Sequence, residues 1–266
     1  QRDPAFGVRL EVCDFKALTF QLVHAVEDGV MLDGGGDDVL ALFDIGISSA
    51  ANGPVIGFGA AAGEINFTGF GIQRLCDKGH SWKAVQQLVP DMISCGLLGH
   101  PFVCPDMIGG GSWMAFAPDA PTPFDPELFV RSAQAHALSP MMQFSAAPWR
   151  MLKGEYLDAI RKATWTRMKF ANRYVSLAKE CAKTGEPMLR NMDYNYPGQG
   201  WESVMDQFMM GDFLVVAPQC VKGAKERKVM IPPGKWRGDD GVVYEGPKVI
   251  STPTPLDRIP YFERVK

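Results

Sequence analysis

Three aspartates stand where a carboxylate could do chemistry. Asp33 ends the short apolar run Gly29-Val30-Met31-Leu32 and is followed by Gly34-Gly35-Gly36. Asp106 ends a second run, Pro101-Phe102-Val103-Cys104-Pro105, with Gly109-Gly110-Gly111 close behind. Asp77 follows Arg74 by three residues, so an arginine stands near a carboxylate that it could keep ionised. A carboxylate at a strand end can accept hydrogen bonds from a ligand or move a proton, and glycines after it let the backbone approach closely. A plainer reading stays open for each: turn caps for Asp33 and Asp106, polar loop residues for Arg74 and Asp77. Further along, Gln143 is a candidate hydrogen-bonding amide and Arg150 could pair with a carboxylate. Trp149 could stack on a ligand or pack in the core.

Other chemistries find less support. His24, His80, His100 and His136 show no ligand spacing, and Cys13, Cys76, Cys95, Cys104, Cys181 and Cys220 contain no C-x-x-C pair. No metal and no cofactor is implied. Buried free thiols are the ordinary reading of those cysteines, with disulfides the alternative. The glycine triplets lack a Gly-x-Gly-x-x-Gly pattern, which argues against a phosphate or dinucleotide site. Net charge is −3 without long basic runs, so nucleic acid is not an expected partner. No apolar stretch approaches the roughly 20 residues of a membrane helix, and no secretory signal opens the chain. The first residue is Gln1, which leaves room for a larger upstream region. The compartment stays open.

The elements that would position these groups are of two kinds. Ser81 can cap a helix through Leu88, with Pro90 starting a new turn or a second helix over Asp91–Cys95. Residues 112–126 read as a proline-rich loop. Asp125-Pro126-Glu127 opens a helix through His136, on which Glu127 and Arg131 have ion-pair spacing. A strand-like run, Pro140 to Ser145, leads to a loop at Pro148-Trp149-Arg150. The clearest helix spans about Tyr156 to Lys183, with Ile160, Ala163, Met168, Ala171, Val175 and Ala178 as its apolar positions and Gly185 as its stop. The unit of strand, carboxylate, glycine turn and helix suggests a β/α barrel, whose functional groups gather at the C-terminal strand ends. A whole barrel takes about 250 residues, so a partial one is expected over residues 1–185. After Pro187 the texture becomes short strands: Phe213–Ala217, Lys228–Ile231, Val242–Tyr244 and Lys248–Ile250. Turns are expected at Pro232-Pro233-Gly234 and Asp239-Asp240-Gly241. This is an all-β module over residues 186–266.

From Arg74 onward the order of motifs resembles glycoside hydrolase family 31. The motifs begin with Arg74-Leu-Cys-Asp77, His80-Ser-Trp82, Pro105-Asp106-Met-Ile-Gly109-Gly110 and Glu127-Leu-Phe-Val-Arg131. They continue with Met142-Gln143-Phe-Ser145, Pro148-Trp149-Arg150, Gly185-Glu-Pro187 and Asp206-Gln207-Phe208-Met-Met-Gly211-Asp212. Leu214-Val-Val-Ala217-Pro218, Ile231-Pro-Pro-Gly234-Lys-Trp236 and Pro255-Leu-Asp-Arg-Ile-Pro260 close the series. The forms around Asp106 and Gln143 look like the branch containing the myogenesis-regulating glycosidase. An Arg-Asn-His run stands in the α-glucosidases where Gln143-Phe144-Ser145 stands here, so plain α-glucoside specificity is in question.

The resemblance implies a partial (β/α)8 TIM barrel followed by a β-sandwich domain, and a retaining exo-α-glycosidase acting on α-linked oligosaccharides or glycosides. Such an enzyme needs two carboxyl groups roughly 5–5.5 Å apart, one nucleophile and one acid/base. By match to the family pattern, Asp33 is the nucleophile and Asp77 the acid/base. Met31 and Gly36 replace a lysine and an acid of the pattern around the nucleophile. Arg74 and Asp106 match sugar-binding positions, and Gln143, Trp149 and Arg150 are further substrate-binding candidates. Trp82 either orients the acid/base loop or packs. The competing reading is a catalytically inactive, truncated remnant with a carbohydrate-binding or structural role. Half a barrel exposes a strand edge and apolar helix faces, so a missing N-terminal half or an oligomer partner is expected.

Overall fold

The computed structural model describes residues 73–109, 123–144 and 146–265. The expectations for Asp33, and for everything else before residue 73, lie outside the described residues.

The first strand, β1 (Gln73–Arg74), lies parallel to β2 (Val103–Cys104), with Gln73 opposite Val103 and Arg74 opposite Cys104. Beyond β2, Ile108 makes a parallel bridge to Phe144, and its N–H donates to the Gln143 carbonyl at 2.7 Å. Three successive chain passes therefore run the same way, as an arc of a β/α barrel requires. The crossover between the first two is helix α1 (Trp82–Leu97), capped by Ser81, whose side chain accepts from Ala84 N. Pro90 does not divide this helix. Its missing N–H costs one hydrogen bond, but Val85, Leu88, Val89, Met92, Ile93 and Gly96 keep one buried stripe on both sides of it, and that packing carries the helix through.

Helix α2 (Pro126–Ala137) has Asp125 as its N-cap, and every residue from Leu128 to Ala137 is buried. Its polar residues reach across to the C-terminal segment. Arg131 donates to the carbonyls of Thr254 (2.7 Å) and Pro255 (3.2 Å), and Gln134 donates to that of Leu256 at 2.6 Å. The Arg131 guanidinium stands 4.0 Å from Glu127, so the spacing-based pair is its weakest contact. Pro148-Trp149-Arg150 is not a loop but belongs to the short helix α3 (Pro148–Met151), with proline in its first turn.

Helix α4 (Glu155–Thr184) is closed by Gly185 in the left-handed conformation, φ 77°. Its buried stripe is Ala159, Ile160, Ala163, Arg167, Phe170, Tyr174, Leu177, Ala178 and Cys181, which includes the expected Ile160, Ala163 and Ala178. The sequence reading placed Met168, Ala171 and Val175 there as well. Those three are only half-buried. That face also carries Arg167, a buried cation among apolar neighbours. Its guanidinium is satisfied by the carbonyls of Ala137 (3.0 Å), Ser139 (2.7 Å) and Pro140 (2.8 Å).

Downstream lies a six-stranded antiparallel sheet of order β3-β4-β5-β8-β6-β7. Its strands are β3 (Leu189–Arg190), β4 (Phe208–Met210), β5 (Leu214–Val216), β6 (Glu226–Gly238), β7 (Val243–Pro253) and β8 (Tyr261–Arg264), with the short helix α5 (Met192–Asn195) after β3. Period-two alternation divides its apolar residues between two cores. Phe208, Met210, Leu214, Val216 and Tyr261 join the helical core, while Met209, Val215 and Phe262 turn to a second core with Val229, Ile231 and Trp236. Burial on both faces explains why Phe208-Met209-Met210 and Leu214-Val215-Val216 read as unbroken apolar runs. Pro232-Pro233-Gly234 is not a turn. It is an irregularity within β6, where the register against β7 shifts between Ile231 and Gly234. The turn at Asp239-Asp240-Gly241 is present, with Gly241 at φ 81°.

Candidate functional site

The parallel pairing of β1 with β2 decides the geometry. It brings Arg74 level with Cys104, so the segments leaving both strands emerge side by side. One guanidinium nitrogen of Arg74 donates to Asp77 at 2.6 Å and to Asp106 at 2.8 Å. The two carboxylates are held on one cation from different strands. Their environments differ sharply: Asp106 is 1% exposed, whereas the Asp77 side chain is 64% exposed.

Asp106 accepts two backbone donors besides Arg74, Lys78 N at 2.6 Å and Met107 N at 2.7 Å. Burial is the largest influence on it and raises its pKa above the usual aspartate value; the two backbone bonds and Arg74 pull the other way. The bond from Lys78 ties the Asp77 loop to the end of β2. Beneath, His136 of α2 sits fully buried between two carbonyls, with Nδ1 2.6 Å from Ser132 O and Nε2 on Asp106 O. A neutral imidazole carries one proton and donates to one of them. Burial lowers the pKa of His136 despite both carbonyls. Lys78, Gly79, His80, Asp106, Ser132 and His136 line a small pocket here.

Gln143 stands on the next parallel pass. Its side-chain oxygen is 3.8 Å from Cys104 Sγ, within the same arc. Trp149 is half-buried and Arg150 exposed on α3, and among the described residues no hydrogen bond or ion pair joins either to Arg74, Asp77 or Asp106. No three His, Cys, Asp or Glu side chains converge as a metal site among the described residues. No helix there is long and apolar enough to cross a membrane. The sequence reading missed His136 and the anchoring of Asp106 by Lys78 N. A buried histidine has no sequence signal of its own, and a backbone donor has none at all.

Exposed Asp77, buried Asp106 and the arginine between them occupy the C-terminal end of a parallel arc. Two family domains match around this site: the glycosyl hydrolases family 31 TIM-barrel domain over residues 68–177, and the glycosyl hydrolase family 31 C-terminal domain over residues 185–265. The chain belongs to glycoside hydrolase family 31.

Among family 31 proteins, it is 35% identical to the mouse myogenesis-regulating glycosidase over 71% of this chain and 28% of that protein. It is 30% identical to the mouse neutral alpha-glucosidase AB over 73% of this chain and 21% of that one. The SITS-binding protein of Tetronarce californica is 26% identical over 87% of this chain and 33% of its own length. The chain thus spans about a third or less of the curated relatives it matches. Among solved structures, the cycloalternan-degrading enzyme from Trueperella pyogenes in complex with a covalent intermediate superposes with a TM-score of 0.66 at 26% identity, covering 74% of this chain and 28% of that one. A Flavobacterium johnsoniae dextranase complexed with glucose gives 0.61 at 26% identity, covering 73% and 25%.

Proposed function

We propose that the chain carries the acid/base and sugar-binding part of a retaining exo-α-glycosidase, with residues 1–185 as the catalytic barrel segment and 186–266 as the supporting β module. The observation that supports this most is the sharing of Arg74 by an exposed and a buried aspartate. An exposed carboxylate suits proton exchange with a leaving oxygen and water, and a buried one on fixed donors holds the arginine beside it in place.

In the reaction, a carboxylate oxygen of Asp33 attacks the anomeric carbon as the glycosidic C–O bond breaks. The leaving oxygen takes the proton of Asp77. Water then gives a proton back to Asp77 and its oxygen to the anomeric carbon, which frees Asp33. For Asp77 to deliver a proton, Arg74 must be drawn from it, and Asp106 and a sugar hydroxyl are the partners that would take it over. Gln143, Trp149 and Arg150 complete the proposed substrate contacts.

A panel of aryl α-glycosides (glucose, galactose, xylose, sulfoquinovose) tests the reading. Aryl release by the purified chain, abolished in Asp33→Ala and in Asp77→Ala, is expected. A folded chain that turns over none of them overturns it. The second reading is a non-catalytic sugar-binding protein. It is favoured by the breadth of the likeness to the SITS-binding protein, which is named for binding. Saturable sugar binding without turnover, weakened in Asp106→Ala, would establish it.

A further inference from the structure

The segment that bears Asp77 leaves β1 and enters α1 at Trp82. Its near end is held by Arg74 and by Lys78 N on Asp106. Its far end is held on one carboxylate, Asp125. The Trp82 indole N–H donates to Asp125 Oδ2 at 3.1 Å. The His80 ring stacks on neighbouring Phe124, with centroids 5.6 Å apart and planes 7° from parallel. The other oxygen of Asp125 caps α2 by accepting Leu128 N at 3.1 Å.

The β module completes the anchor. Lys222, in the loop between β5 and β6, donates to Asp125 Oδ2 at 2.8 Å, and Gly223 N donates to Glu127 at 3.1 Å. Nearby, Gln86 of α1 donates to the Cys220 carbonyl at 3.1 Å. Burial pushes the Asp125 carboxyl up, but the bonds from Lys222, Leu128 and Trp82 outweigh it and hold it below its ordinary pKa. Asp125 is therefore a charged hub joining the Asp77 loop, the start of α2 and the sheet module.

We infer that Asp125, supported by Lys222, is a positioning residue for Asp77, and that the β module thereby takes part in placing the acid/base. The inference rests on the proposed role of Asp77. Neither Asp125 nor Lys222 reaches Asp77. They act by fixing the path between Cys76 and Trp82, so that the carboxyl stands at one distance from the leaving oxygen. Misplacement of a proton donor by an ångström is enough to cost on the order of a hundredfold in rate.

Two variants of the full chain and two readouts test this. Lys222→Met removes the cross-module ion pair and leaves the cap intact. Asp125→Asn keeps one acceptor oxygen. Exposed pairs contribute little, so amide hydrogen exchange over residues 75–82 should quicken only about 2- to 5-fold in Lys222→Met, and more in Asp125→Asn, without change in the strands β4 and β5. In turnover, kcat/KM should fall roughly tenfold for an α-glycoside with a poor leaving group, which needs Asp77 as acid, and little for a dinitrophenyl glycoside, which does not. Unchanged exchange over 75–82 in Lys222→Met, or an equal fall for both leaving groups, overturns the inference. If the unsubstituted chain hydrolyses neither glycoside, the proposed function fails, and the exchange measurement alone decides whether Asp125 anchors the loop.

Discussion

Replacing Asp106 with asparagine should destabilise the chain by about 3 kcal/mol, and the figure follows from the donors around it. Three N–H groups converge on the carboxylate: Arg74 and Met107 on Oδ1, Lys78 on Oδ2. An asparagine has one oxygen to offer. In its better orientation that oxygen keeps Arg74 and Met107, and the amide nitrogen then meets Lys78 N–H at the 2.6 Å where an acceptor stood. One hydrogen bond to a charged group is lost, at about 1.5–3 kcal/mol, and two buried donors face each other, which adds to it. At 1% exposure water does not repair the loss. For a chain of this size the sum corresponds to a fall of roughly 6–12 °C in the thermal midpoint. The measurement is best made near pH 8, because burial favours the protonated form that asparagine imitates. A midpoint within about 1 °C of the parent chain would refute the reasoning.

Three further outcomes are expected. Gly246→Ala should strongly destabilise the hairpin, by roughly 3 kcal/mol in urea unfolding, because the new Cβ would collide with the Pro232 carbonyl oxygen at the irregularity in β6. Arg167→Met should cost about 3–5 kcal/mol, since it leaves the carbonyls of Ala137, Ser139 and Pro140 without their buried donor; a neutral result in the same assay would show that the carbonyls find water. His136 gives a pH dependence: burial sets its folded pKa below 6.5, so the unfolded chain binds more protons as the pH drops under that value. Its contribution is present above about pH 6.5 and lost below it, so the urea midpoint should fall on going from pH 7.5 to 5.5, and fall less in His136→Gln.

Features controlled by neighbouring residues were legible in the sequence. Ser81, Asp125-Pro126 and Gly185 announce helix ends because capping is satisfied within a turn. The Arg74–Asp77 pair is three residues apart and needs only its own loop. The order of motifs carried the family, and with it the barrel arc followed by an all-β module. Readings failed where long-range contacts outweigh local preference. Pro90 says break and Pro232-Pro233-Gly234 says turn, yet helix packing and the pairing with β7 carry both segments straight on.

What the sequence by itself determined is the fold class and the family, and it named the candidate groups. Only the tertiary structure decided which of them meet. Arg74 and Asp106 lie 32 positions apart, and it is the parallel register of β1 on β2 that sets them 2.8 Å from each other. The same holds for Asp125 and Lys222, 97 positions apart and joined across two modules. Partner choice at that separation is a property of the closed chain, because no local hydrogen bond or propensity encodes which strand will lie alongside.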